Sequence, residues 1–274
     1  GSFMSLGRLC LLAVMLASWT LASVVSCGPA GASVPPNVLR IGAVLPMSAA
    51  LADYGTQAWN GLQLSKLNGS VINGVTIEVQ LLDTASDANL VERRVSEAIR
   101  NGVRLIIGDV ASSATAAGGV AARRERVPML TAWSTNVQLT KDNEFITRIC
   151  FSDDLQGSAC ARLAIEIFRE RNVPQERWTA VIVKDIKNAY SLGLAEEFNK
   201  TFRSLGGRIL TEETFAQGDA QFETMINAVA SQQPGVIFVP GYYSSVAPML
   251  RQAEAAWAGI PILGGDGWDG EPLF

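Results

Sequence analysis

The chain has 274 residues, 48% of them hydrophobic, and a formal net charge of −4, enough apolar content for one large or two medium domains. That acidic balance, with a pI near 5.1, argues against a nucleic-acid partner, which calls for a basic face. The absence of histidine removes the commonest general base, the triads that depend on it, and imidazole metal sites.

GSF before Met4 reads as an appended remnant rather than fold. Arg8 then precedes the apolar run Leu9–Val25, closed by Ser26 and Cys27, which has the layout of a signal peptide. The run is marginal in length for a membrane span. VVSC resembles a bacterial lipobox, with Cys27 lipidated as the mature N-terminus; an ordinary secretory signal cut after GAS is the alternative. The expected location is the periplasm or the outer face of a bacterial cytoplasmic membrane, with a membrane link only through that anchor. Residues 1–27 are thus set aside as leader, and 28–37, GPAGASVPPN, as a linker without periodicity.

From Val38 short apolar strands alternate with amphipathic helices. VLRIGAVLP, VTIEVQLLD, RLIIGD and VPMLTA predict strands, separated by helices over YGTQAWNGLQLSKLNG, NLVERRVSEAIRNG and SSATAAGGVAARRE. After FITRICF and the helix LQGSACARLAIEIFRERN, a second series runs from WTAVIVKD to IPILGGD. Such alternation predicts an α/β protein with parallel sheets covered on both faces. The two series imply two Rossmann-like lobes, 38–150 and 151–265, with 266–274 returning toward the first. Cys150 and Cys160 could pair after export, or remain as unpaired buried thiols; no metal-ligand spacing such as CxxC occurs. No metal and no cofactor is expected.

Ligands of open parallel sheets sit beyond the carboxyl ends of the strands. Those ends read PMSAALADYG, GDVASSAT, TAWSTN, DIKNAY, PGYYSS and GGDGWD, rich in Ser, Thr, Tyr, Trp and Asp, with Lys184 and Lys187 at one edge. In GDVASSATAAGG, residues 108–119, a strand runs through a small-residue turn into a helix, a layout suited to an anion. Neither a P-loop nor a GxGxxG turn is present there, which disfavours a nucleotide. Without a G-x-S-x-G elbow or a histidine, an exported α/β hydrolase is also disfavoured.

Taken together, IGAVLPMSAALADYGTQAWNG, GDVASSATAAGG, PMLTAWSTNVQLT, FITRICFSDDLQG, DIKNAYSLGLAEEF and GYYSSVAPMLRQAEAAWAGIPILGGDGWD resemble the solute-binding proteins of branched-chain amino-acid ABC transporters. Those proteins have the type I periplasmic binding fold and are not enzymes. The resemblance covers about Val38 to Phe274. It implies an amino acid or similar small polar ligand in the cleft between lobes and a membrane permease as partner. Ser112, with backbone N–H groups of the turn through Ala111 and Ser113, would hold the α-carboxylate. Thr135 would add a hydroxyl and Trp133 a carbonyl toward the ammonium. Asp266 takes the place of the acidic residue that pairs with the ammonium, and Tyr54, Tyr190 and Tyr242 would line the cleft.

Plainer readings stand beside these. Ser112, Ser113 and Thr115 could cap the helix they begin, Asp266 could form a turn, and Tyr190 and Tyr242 could be rim packing. Asp219 is expected to cap a helix, and Arg123 and Arg124 to form a solvated helix end. Trp133 stands where the family tends to have a small residue, and Gln221 where an acidic one is common. The resemblance further implies that the chain stops, at Phe274, before the first lobe is complete. A sensor domain of a signalling system is the alternative function.

Overall fold

The computed structural model describes residues 37–141 and 143–270. The leader, Cys27, most of the 28–37 linker and the last residues of the return crossing lie outside them.

In the first half β1 (Val38–Leu45) leads into α1 (Ala52–Leu64), followed by β2 (Val71–Ile72), β3 (Val75–Asp83) and α2 (Ala88–Arg100). Then come β4 (Val103–Gly108), α3 (Ser112–Glu125), β5 (Met129–Thr131), α4 (Gln138–Lys141) and β6 (Ile146–Arg148). The second half runs α5 (Asp153–Glu170), β7 (Thr179–Asp185), α6 (Ala189–Ser204), β8 (Arg208–Phe215), α7 (Glu223–Ser231), β9 (Val236–Phe238), α8 (Tyr243–Ala253) and β10 (Ile262–Leu263). The strands form a six-stranded sheet, β2-β3-β1-β4-β5-β6, and a four-stranded sheet, β10-β9-β7-β8. All pairings are parallel except β2–β3. This is the α/β architecture with two sheets that the alternation predicts, and the described residues form one compact unit.

The period of two along each strand assigns side chains to faces. On β7, Ala180 and Ile182 pack with Phe168, Phe198 and Phe202 from α5 and α6, while Val181 and Val183 pack with Ile226, Met249 and Trp257 from the α7–α8 side. On β1, Val44 joins the core under α2 and α3, and Ala43 and Leu45 turn toward α1. The β2–β3 hairpin is an addition to the sequence reading. Its two-residue turn, Asn73-Gly74, has positive φ at both positions, the geometry that an Asn-Gly pair favours.

One correction and one choice between open alternatives concern local chemistry. Asp219 does not cap a helix: its carboxylate accepts from the Ala216 N–H at 2.8 Å and closes a turn, while Phe222 is the N-cap of α7. Cys150 and Cys160 are both free thiols. Each Sγ turns to a carbonyl, Ser134 O at 3.7 Å and Gly264 O at 3.4 Å. Arg123 and Arg124 are surface residues as expected, in ion pairs with Glu144 and Glu92.

Candidate functional site

The site grows from the bend after β4. Gly108 has φ +122°, and a Cβ there would lie 1.9 Å from the Val44 carbonyl oxygen, so only glycine lets β4 pass β1 this closely. The chain then turns through Asp109 and Val110 into α3. The N-cap of α3 is Ala111, which offers no side-chain oxygen, so the first N–H groups of the helix are left for another acceptor. The serines do not cap it. Ser112 Oγ accepts from the Asn136 N–H at 3.3 Å, and Ser113 Oγ accepts from the Ala189 N–H at 2.9 Å.

Beneath this turn Asp109 organises two loops. Its carboxylate accepts from the Thr84 hydroxyl at 2.9 Å and the Ala111 N–H at 3.0 Å. Burial pushes it up to about 6, against the lowering effect of those bonds. The hydroxyls of Thr131 and Ser134 donate to the Asp109 carbonyl at 3.1 and 2.9 Å, and Thr115 Oγ1 lies 2.7 Å from Ser134 Oγ. The loops after β4 and β5 are therefore tied into one body. Asp109 went unmarked in the sequence, although an acidic residue directly after a strand-end glycine is a legible signal.

A cavity of about 650 Å³ opens between the two sheets. Its lining brings together Tyr54, Ser112, Trp133, Thr135, Tyr190, Tyr242 and Asp266 of the nine candidate ligand residues. Ala111 and Ser113 face a separate cavity of about 210 Å³ beside Asp109 and Lys187. Ser112, whose hydroxyl the resemblance assigns to the ligand, is thus the serine turned to the larger of these two cavities. Trp133 lays its ring on the cluster of Ala43, Leu45, Ala58 and Val110 and forms part of an apolar wall. Ile107, Leu130, Ala132 and Ile149 continue that wall.

Opposite, Tyr190 and Tyr242 stack with ring centroids 5.1 Å apart, and Tyr54 meets Tyr242 edge-on at 5.9 Å. Burial, reinforced by the Asp266 charge, raises the phenols of Tyr190 and Tyr242 well above the usual range, which keeps them protonated. The Gly267 peptide is held at both ends: its N–H donates to Tyr190 Oη at 3.0 Å and its carbonyl accepts from Tyr54 Oη at 2.5 Å. Asp266 itself is exposed to the cleft, its N–H donating to Gln156 Oε1 at 3.2 Å. Asp269 also lines the cavity, and no Lys or Arg does. Among the described residues no group of three or more His, Cys, Asp or Glu side chains could hold a metal, and no helix is long and apolar enough to cross a membrane.

One further carboxyl lies behind the cleft. Asp153, the first residue of α5, is fully buried. Burial pushes it up to about 7, against a hydrogen bond from the Thr135 side chain and the Arg148 charge, with the Asp266 charge acting in the same sense as burial.

The model of the periplasmic binding protein family matches residues 38–271. The Leu/Ile/Val-binding protein BraC3 of Rhizobium johnstonii is 28% identical over 233 residues, which cover 84% of this chain and 61% of that protein. The leucine-binding protein LivK of Thermotoga maritima superposes with a TM-score of 0.77 at 32% identity, over 86% of this chain and 65% of that one. LivJ of Streptococcus pneumoniae, solved in complex with isoleucine, gives 0.73 at 29% identity, over 86% and 66%. The chain therefore spans about three-fifths to two-thirds of the length of these relatives. With a family model matched across nearly all the described residues and both sheets superposing on solved members, the chain belongs to the periplasmic binding protein family.

Proposed function

We propose that this chain binds an α-amino acid between its lobes and presents it to the membrane permease of an ABC transporter, without chemical turnover. The observation that carries this reading is the polarity of the cleft. An uncapped helix N-terminus with the Ser112 hydroxyl lies on the first lobe, and the Asp266 carboxylate stands on the crossing from the second. A zwitterion matches both ends: its carboxylate meets N–H and O–H donors, and its ammonium meets a carboxylate. A simple carboxylic acid would satisfy the first end but face Asp266 and Asp269 with no cation in the lining.

Binding works through closure in this reading. A ligand that touches both lobes only when they are together shifts the population toward the closed form. Moving that balance from 1:99 to 99:1 takes about 5.5 kcal/mol of differential affinity. The relatives named for leucine, isoleucine and valine make branched-chain amino acids the first to test. The leader supports export, with Cys27 as the lipid attachment point.

A thermal-shift panel of leucine, isoleucine, valine, their deaminated analogues and benzoate tests the reading. An amino acid at a hundred times its Kd is expected to add about 2.7 kcal/mol of stability, and its deaminated analogue much less. Equal stabilisation by the two would overturn the role of Asp266.

A further inference from the structure

Outside the ligand cavity a further pair of side chains joins the two lobes. Tyr243 Oη donates to Asp53 Oδ2 at 2.6 Å. Asp53 lies in the first turn of α1 and Tyr243 is the first residue of α8, so the bond spans from one sheet's helices to the other's. Neither residue lines the main cleft. The Tyr243 ring is held from two sides, by Tyr54 of α1 and by the crossing segment. It packs at 5.0 Å from the Tyr54 ring, and a Cβ on Gly270 would lie only 2.5 Å from it, so the crossing segment is pressed flat against it. Burial and the bond to Asp53 both raise its phenol above the ordinary range, so it remains a donor at all physiological pH. A hydroxyl donating to a carboxylate makes a charge-assisted bond, stronger than one between neutral groups, and the ring contact with Tyr54 forms across the same junction.

We infer that Asp53 and Tyr243 form a latch that holds the lobes together from outside the ligand cavity and sets binding affinity without touching the ligand. Affinity for a protein whose competent form is partly populated scales with that fraction, so a contact that favours the closed form strengthens binding. The affinity part rests on the functional reading above; the conformational part does not.

The test uses Asp53→Ala, Tyr243→Phe, their double variant and Asp53→Asn, whose amide oxygen still accepts. X-ray scattering of the ligand-free chain should show a larger radius of gyration for both single variants and the same increase for the double, with Asp53→Asn near wild type. Titration with L-leucine should show a weakening in each single variant that matches the fall in its closed fraction, up to about 10-fold, and little more in the double, because the two substitutions remove one bond. An unchanged radius in the single variants, or losses that add in the double, would overturn the latch. If wild type fails to bind L-leucine or any other amino acid, the functional reading falls, and the scattering experiment still decides the latch.

Discussion

The two lobes treat their sheets differently. In the second, both faces of β7–β9 are buried, one under α5 and α6 with Phe168, Phe198, Phe202 and Phe238, the other under α7 and α8 with Met249 and Trp257. In the first, α2 and α3 bury one face, while the other has a small core of Ala43, Leu45, Ala58 and Val110 under α1. Beyond α1 that face continues into the cleft wall, where Ile149 is 68% exposed. The difference separates two tasks. The second lobe seats the stacked Tyr190 and Tyr242 on a sheet buried on both faces, and the first brings Ser112 and the uncapped start of α3 to the cleft.

The largest expected effect breaks the core of the second lobe. Phe198 is fully buried and stacks on Phe238 with centroids 4.1 Å apart, so Phe198→Ala should destabilise by about 3–5 kcal/mol in denaturant unfolding.

Next comes the division of the ligand between lobes. In calorimetric titration with an amino acid that binds wild type, Asp266→Asn should lose roughly 2–5 kcal/mol and Ser112→Ala about 1–3, since backbone donors remain. The deaminated analogue should be nearly indifferent to Asp266→Asn. Binding of the amino acid at wild-type strength by Asp266→Asn would reduce that residue to a turn former.

The pH dependence sharpens the comparison at the junction. Asp153 titrates near 3.8 when unfolded and about 7 when folded, so the native chain holds the extra proton between these values. Its contribution is complete below about pH 4 and is lost as the pH rises through 7. The change is on the order of 2–4 kcal/mol. Asp109, pushed up to about 6, adds a slope of the same sign at lower pH. Asp153→Asn should flatten unfolding curves between pH 6 and 7; an undiminished slope would place the titrating group elsewhere.

The smallest effect lies on the open wall. Ile149→Ala should change stability by less than about 0.5 kcal/mol, against the several expected for Phe198→Ala. A large loss would mean that the first-lobe wall is more fully packed than its exposure indicates.

Most of the fold was legible because strands such as TAVIVKD are apolar on both faces and helices such as α2 carry a strong apolar stripe. The cleft was legible because the strand ends gathered hydroxyl, aromatic and acidic residues in order. That Ser113 turns away to a second cavity and to the Ala189 N–H was not, because neighbouring helical residues differ by about 100° in direction, which only the packed helix defines. Asp153 resisted for another reason: its burial depends on α6, where Gly193 leaves the space beside it. The Asp53–Tyr243 bond joins positions 190 residues apart, with no local pattern to announce it.

Gly267 gives the arrangement a further meaning. One tyrosine from each lobe grips opposite ends of the same peptide, immediately after the carboxylate proposed to meet the ligand. A pull on Asp266 is thereby divided between two levers, Tyr54 on α1 and Tyr190 on α6. Gly267 is the crossbar of a balance: in the proposed reading, a load at the carboxylate would tilt both arms together, from a single point.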